Sequence, residues 1–256
     1  MKEAPLAKKA GGAIILKMEV IFSNKDVIAI NKPAAVLVHR TSAKRTGEET
    51  VADEIVKQFP EVRSVGDDPA MRPGIVHRLD KDTSGVLLVA RNQEAFEYLK
   101  KLFQRREIKK EYLALVYGGV KTDGIIRKPI GLRPGTTKHS VNAKQMKMVK
   151  EAVTRYEVEE QFEKNKGKDI YTLLRVFPET GRTHQIRVHL ASISHPVVGD
   201  ALYGGKKERR KKGERLMLHA RVLELTLPSG EKMHFEAEPP ESFKEGLKRL
   251  HRIDKD

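Results

Sequence analysis

Apolar residues in this chain fall mostly in short runs, and only a few stretches repeat every three or four positions, so strands should outnumber helices. Val20-Ile21-Phe22 and Val27-Ile28-Ala29-Ile30 flank Asn24-Lys25-Asp26, which predicts two short strands around a turn. Asn31-Lys32-Pro33 should break the second of them. Val51, Ile55 and Phe59 recur four apart and predict a helix over residues 50–59. Gly85-Val86-Leu87-Leu88-Val89 is an unbroken apolar run suited to a strand covered on both faces. Asn92 can then cap a helix whose apolar stripe is Phe96, Leu99, Leu102 and Phe103, with Lys100, Lys101, Arg105 and Arg106 lying mainly away from it.

Further strands are predicted at residues 112–116, 156–158 and 171–177, and a hairpin at 222–227 and 232–235 through Pro228-Ser229-Gly230. Residues 184–193 read as a helix turning Ile186, Leu190 and Ile193 inward, and Phe243, Leu247 and Leu250 mark a closing helix. Residues 131–150 are polar, basic and poor in pattern, which predicts a long loop or hairpin. Residues 1–17 carry Lys8, Lys9, Gly11 and Gly12 without periodicity and are expected to be a flexible tail, leaving residues 18–256 as one domain. No internal repeat is present. Strands interrupted irregularly by helices predict an α+β fold with a mainly antiparallel or mixed sheet flanked by helices and basic loops.

Charge and composition narrow the chemistry. Among 256 residues, 50 Lys and Arg face 35 Asp and Glu, a formal charge of +15, so the expected partner is a polyanion and specifically nucleic acid. Ala13 to Leu16 and the other plain apolar runs are far too short for a membrane span, and residues 1–10 lack the apolar core of a signal peptide. No membrane partner is expected, and the expected location is cytoplasmic. The absence of cysteine excludes redox motifs, thiolate zinc sites and Cys nucleophiles. With them go uracil methyl transfer through a Cys adduct and deamination at a His/Cys zinc. No dinucleotide fingerprint, phosphate loop or H-E-x-x-H is present, so no cofactor is expected. Gly204-Gly205-Lys206-Lys207 lacks phosphate-loop spacing, and no carboxylate pattern makes His184, His189 and His195 a metal site.

Residues 72–85, Arg-Pro-Gly-Ile-Val-His-Arg-Leu-Asp-Lys-Asp-Thr-Ser-Gly, compress cations, carboxylates and turn formers into one loop entering a buried strand. Sites concentrate in such loops, although Asp80 or Asp82 could equally cap an ordinary turn. The string His77-Arg78-Leu79-Asp80-x-x-Thr83-Ser84-Gly85 followed by Val86-Leu87-Leu88 closely resembles the catalytic motif of RluA-type RNA pseudouridine synthases. Three more blocks resemble the family's other motifs, in order. They are Asn31-Lys32-Pro33 with Leu37-Val38-His39; Lys110-Glu111-Tyr112-Leu113-Ala114; and Gly181-Arg182-Thr183-His184-Gln185-Ile186-Arg187-Val188-His189-Leu190 with His195-Pro196-Val197-Val198-Gly199-Asp200 and Tyr203-Gly204.

The resemblance implies a cofactor-free isomerisation of uridine in which the N1–C1′ bond breaks, the base turns and C5 joins C1′. It makes Asp80 the essential carboxylate, either nucleophile at C1′ or base at C2′. The first option parallels the retaining glycosidases. It makes Tyr112 the active-site tyrosine and Arg182 the arginine that pairs with the aspartate and keeps it ionised. Arg78 matches an arginine that enters the RNA as the target base flips out, and His77 takes a supporting role in the loop. His77 before Arg78, with Thr83-Ser84-Gly85 after, separates the RluA type from the related RsuA type.

Lys206 to Arg215 holds seven cations against Glu208 and Glu214, with no apolar anchor, and reads as a solvated loop or as an electrostatic arm on RNA phosphates. Lys206, Lys207, Arg209 and Arg210, joined by Lys138, Lys144 and Lys147, are the candidate backbone contacts. Many relatives carry an N-terminal S4 RNA-binding domain, but about 18 residues before the first strand leave no room for one. Ala35 also stands where relatives often have glycine. The expected protein is a monomeric pseudouridine synthase of structured RNA, ribosomal or transfer. A non-catalytic RNA-binding or ribosome-assembly factor on the same fold is the alternative, and Asp80, Tyr112 and Arg182 together speak against it.

Overall fold

The structure is a computed structural model that describes residues 9–10, 13–14, 18–40, 48–136, 138–141, 146–205 and 214–253. The chain forms two compact units, Met1–Ile108 with Leu223–Glu238 and Lys109–Val222 with Pro239–Asp256.

In the first unit, the short strands β1 (Lys9–Ala10) and β2 (Ala13–Ile14) pair with each other. β3 (Glu19–Ser23) and β4 (Val27–Lys32) form the hairpin expected from their apolar runs. Asn24 makes its turn, its Oδ1 accepting from the N–H groups of Asp26 at 2.9 Å and Val27 at 2.8 Å. Helix α1 (Val51–Gln58) starts from a capping box in which Thr50 and Asp53 answer each other's backbone N–H. Strand β5 (Ser84–Ala90) is buried at every position, as its unbroken apolar run requires. It pairs antiparallel with β4 from Val27↔Ala90 to Lys32↔Gly85. Helix α2 (Gln93–Arg105) is capped by Asn92, whose side chain accepts from Ala95 N at 2.8 Å, and it buries Phe96, Leu99 and Leu102.

The second unit begins with β6 (Lys109–Tyr117), β7 (Gly124–Arg127), β8 (Ile130–Leu132), β9 (His139–Ser140) and β10 (Lys147–Lys150). The long strands β11 (Val153–Lys164) and β12 (Asp169–Pro178) follow, then α3 (Gln185–Ser192). β12 lies between β11 and β6, with Tyr171↔Tyr117 and Val176↔Tyr112 at the two ends of the β12–β6 register. β8 lies between β10 and β9 in a small sheet. Strand β13 (Leu218–Thr226) carries the chain back to the first unit, where β14 (Lys232–Glu236) pairs with it. Helix α4 (Glu241–Lys248) and β15 (His251–Arg252) close the second unit. Leu113, Leu115, Leu173, Leu174, Leu190 and Phe243 anchor its core, while Leu88, Phe96, Leu99, Leu223 and Phe235 anchor that of the first.

The predicted α+β class holds. Three differences have physical causes. Residues 131–150 take the hairpin alternative, β9 and β10 each pairing antiparallel with β8, while β7 and β15 went unpredicted because strands of two to four residues are too short to show a period. β13 starts at Leu218 rather than at residue 222, since buried His219 and partly exposed Arg221 interrupt its apolar reading. Helix α3 is buried all round from Gln185 to Leu190, its polar side chains entering the interior with hydrogen-bond partners instead of forming a wet face.

Candidate active site

The loop before β5 is fastened to the sheet before it reaches Asp80. Gly74 adopts φ +66°, donates to Val65 O at 2.8 Å and accepts from Ala90 N at 2.9 Å. A Cβ there would lie 2.5 Å from Ala90 O and 2.6 Å from Val62 Cγ1, so the close approach needs glycine. Ile75 bridges Val89. The His77 ring stacks on Phe103 at 4.6 Å between centroids, and its Nε2 accepts the N–H of Leu88 at 2.9 Å. That acceptor role places the ring's proton on Nδ1 of a neutral imidazole.

Leu79 is buried, with exposed Arg78 before it and partly exposed Asp80 after it. The apolar residue is withdrawn from water while its two charged neighbours keep exposure. Asp80 O accepts Thr83 N at 3.1 Å, closing a turn, and Asp82 is exposed. Below the turn, Lys32 is fully buried, and its Nζ donates to Pro33 O at 2.7 Å, Val36 O at 2.8 Å and Lys81 O at 3.0 Å.

Tyr112 and Arg182 both belong to the second unit. Tyr112 lies on β6 opposite Val176, half-buried against the core. Arg182 is half-buried in the turn before α3; its Nε donates to Glu151 O at 3.0 Å and its N–H to Gln185 Oε1 at 3.0 Å. Gln185 ties this turn down, accepting from Thr180 Oγ1 at 2.6 Å and donating to Val153 O and Thr154 Oγ1, both at 2.9 Å.

Five residues beyond Arg182, Arg187 is 5% exposed and grips the fully buried Asp200 through Nε at 2.8 Å and Nη2 at 2.9 Å. Asp200 Oδ1 also accepts from Leu202 N at 2.9 Å and Tyr203 N at 3.0 Å. Sequence reading included Arg187 in its motif but gave neither it nor Lys32 a role. The signal available was a set of polar residues, Gln185, Arg187 and His189, recurring within a helix too short and too apolar to leave them outside.

The three histidines considered for a metal go to separate partners. His184 Nδ1 meets Tyr203 OH at 2.9 Å, and His195 Nδ1 donates to Tyr117 O at 2.9 Å. His189 Nε2 donates to Lys128 O and its Nδ1 meets Thr154 Oγ1, both at 2.9 Å. Burial pushes the His189 imidazole below its ordinary pKa, and the Lys128 ammonium acts in the same direction against the hydrogen bond to Lys128 O. Among the described residues no group of three His, Asp or Glu is placed to hold a metal ion.

Of the basic candidates, Lys138 and Lys147 are exposed, whereas Lys144, Lys206, Lys207, Arg209 and Arg210 lie outside the described residues. Arg215 does not belong to an unanchored arm. It packs over the Phe243 ring at 5.5 Å and donates to Leu216 O at 3.1 Å and Ser242 Oγ at 3.0 Å, and burial pushes its pKa down to about 10.

Residues 26–192 match the model of the RNA pseudouridylate synthase family. An RNA pseudouridine synthase of Aquifex aeolicus is 40% identical over 240 residues, covering 90% of this chain and 72% of the relative. Ribosomal large subunit pseudouridine synthase D of Escherichia coli K12 is 37% identical over 242 residues, covering 90% of this chain and 69% of the relative. The solved structure of human RNA pseudouridylate synthase domain containing 1 superposes with a TM-score of 0.73 at 27% identity, covering 93% of this chain and 89% of that one. The chain belongs to the RNA pseudouridylate synthases, of the RluA type, and is an isomerase of uridine in RNA.

Proposed function

We propose that this synthase modifies specific uridines in structured RNA, ribosomal or transfer, without a cofactor, using the Asp80 carboxylate, and that it acts as a cytoplasmic monomer. The observation that carries this reading is the mounting of Asp80. Gly74, Ile75 and His77 bind the loop to β5 and α2, Leu79 is buried, and the carboxylate three residues past the anchored histidine stays partly exposed. Rigid backbone under an accessible charged group is the arrangement that positioned chemistry requires.

In this reading the glycosidic N1–C1′ bond breaks with Asp80 as nucleophile at C1′ or base at C2′. The freed base turns, and C5 bonds C1′ as the Asp80–C1′ ester bond breaks or, on the second route, as the proton taken from C2′ returns there; the C5 proton leaves and N1 regains a proton. Tyr112 supports the base by stacking and takes the C5 proton. Arg182 pairs with Asp80. Exposed Arg78 braces the RNA where the target base has left its stack, a step costing on the order of a few kcal/mol. Lys138 and Lys144, with Lys206, Lys207, Arg209 and Arg210, meet phosphates.

Large-subunit ribosomal RNA is the first substrate to test, because the E. coli relative's name specifies it. Purified protein is incubated with unmodified ribosomal RNA and, separately, with transfer RNA, and pseudouridines are mapped by carbodiimide adducts that stop reverse transcription. New stops at a few defined uridines in one of these RNAs are expected. Tight binding to both with no new stop would replace the reading with that of a non-catalytic RNA-binding factor.

A further inference from the structure

Single apolar side chains on a folded surface are ordinary, but an adjacent pair set among charges calls for a reason. Met148 is 75% exposed and Val149 49%, and they stand side by side on β10 between exposed Lys147 and Lys150. Local structure turns them outward. Lys147 faces Leu132 and Lys150 faces Ile130 across the β10–β8 pairing, so Met148 and Val149 together oppose the single residue Gly131. That is a β-bulge, a device that re-aims side chains, here on an edge strand of the small sheet. Met148 takes φ +52°, a left-handed backbone that glycine adopts more readily than methionine. A Cβ at Gly131 would lie 2.7 Å from Met146 Cβ, so glycine lets the two strands approach.

The small sheet is rooted beside helix α3. Ile130 and Ala152 are buried with Val188 of that helix, and Tyr203 packs against them. Tyr203 OH accepts from His139 N on β9 at 3.0 Å, and Glu151 O, one residue past β10, accepts from Arg182 Nε at 3.0 Å. A held root thus presents an apolar pair to water, in the same unit as Tyr112 and Arg182. The surrounding charge is of one sign. Residues 131–150 contain five Lys and Arg and no Asp or Glu, and Arg133, Lys138, Lys147 and Lys150 are all exposed. RNA is the complement of such a surface, because it carries phosphates on either side of flat base faces that accept apolar contact.

We propose that Met148 and Val149 form an apolar wedge that packs against an unstacked base of the substrate RNA, while Lys147 and Lys150 take the phosphates flanking it. The proposal rests on the reading of the substrate as structured RNA and deepens it. A continuous stack exposes no base face, so the wedge selects RNA with a loop or bulge at this point of contact.

Met148→Gly combined with Val149→Ser removes the apolar surface, keeps every charge and suits the left-handed backbone, so its urea midpoint should match that of wild type. Its RNA affinity in filter binding should fall roughly 5- to 30-fold, with the loss appearing in KM rather than kcat. The slope of log affinity against log salt should not change, since no phosphate contact is lost. Lys147→Gln with Lys150→Gln should instead lower the magnitude of that slope by about 1.4–1.8, as two lost phosphate contacts require.

Contact itself is read from a crosslink. The chain contains no cysteine, so Met148→Cys creates a unique thiol that accepts a benzophenone maleimide. Irradiated complexes should stop reverse transcription at a few unpaired nucleotides. If the double variant proves destabilised, this crosslink decides alone. Wild-type affinity in a folded double variant, a change in its salt slope, or crosslinks spread evenly along paired RNA overturns the proposal. So does loss of binding to vesicles of phosphatidylglycerol and phosphatidylcholine with RNA affinity intact, which would give the pair to a membrane surface. Affinity and crosslinks are measured with ribosomal, transfer and total cellular RNA whether or not turnover occurs. Wild type that modifies neither of the first two refutes that choice of substrate, and the wedge then stands or falls on binding and crosslinks to total RNA.

Discussion

The Arg187–Asp200 pair offers the most quantitative test of how the second unit is held together. Both side chains are withdrawn from water, 5% and 0% exposed, and the guanidinium makes a two-pronged contact with the carboxylate. Such a pair is a weak source of net stability, because desolvation offsets most of the attraction, but removing one partner strands the other charge at a cost of about 3–5 kcal/mol. Asp200→Asn keeps Oδ1 available to Leu202 N and Tyr203 N while cancelling the charge, so its cost isolates the stranded arginine. Arg187→Met strands the aspartate by a similar amount. If the singles were independent, the double variant would lose about 6–10 kcal/mol, comparable to the whole stability of an ordinary domain. Because the double strands nothing, it should lose several kcal/mol less than that sum, a coupling of about 3 kcal/mol or more. Urea titrations of the wild type, both singles and the double at one pH give the cycle. Singles costing under about 1 kcal/mol each, with additive effects, would refute the picture of a buried and mutually dependent pair.

Gly74→Ala should destabilise by roughly 2–5 kcal/mol, combining a left-handed backbone with a Cβ forced against Ala90 O and Val62, and a denaturation midpoint shifted by less than about 1 kcal/mol would contradict that geometry. His189 titrates lower in the folded protein than in the unfolded chain, so its contribution is fully present above about pH 6.5 and is lost as pH falls below that value. Between about pH 7.5 and 5.5, wild type should lose stability more steeply than His189→Gln, by at most about 1.4 kcal/mol per pH unit, and equal slopes would remove this role. If the basic residues touch phosphates through about 6–10 contacts, RNA affinity should fall roughly 10³–10⁵-fold between about 50 and 200 mM salt, and a flat response in a filter-binding titration would show that they do not.

How much of this was visible in one dimension depended on whether the cause was local. Val51, Ile55 and Phe59 predicted α1, Asn92 predicted the start of α2, and the apolar run 85–89 predicted a strand buried throughout, since each element's reason lies within a few residues of itself. Helix α3 was placed correctly, but its buried polar side chains were not, because their partners lie elsewhere in the chain. Asp200 is 13 residues from Arg187, Thr154 is 35 from His189 and Lys128 is 61 from it. At the site, His77-Arg78-Leu79-Asp80 stood out as one contiguous string, whereas Lys32 attracted no attention for itself. Three of its acceptors are main-chain carbonyls, which leave no mark on residue identity. The basic residues 206–215 gave the opposite lesson, for composition placed Arg215 in an unanchored loop or arm and Phe243, 28 positions away, holds it in the second unit.

The central claim is that Asp80 carries the isomerisation, and the loss of hydrogen from uridine C5 reports on it directly, because that proton leaves only when C5 becomes bonded to C1′. RNA labelled with tritium at uridine C5 is incubated with wild type and with Asp80→Asn, and the tritium released to water is counted. The account predicts release by wild type and none by Asp80→Asn. Equal release by the two proteins would contradict it.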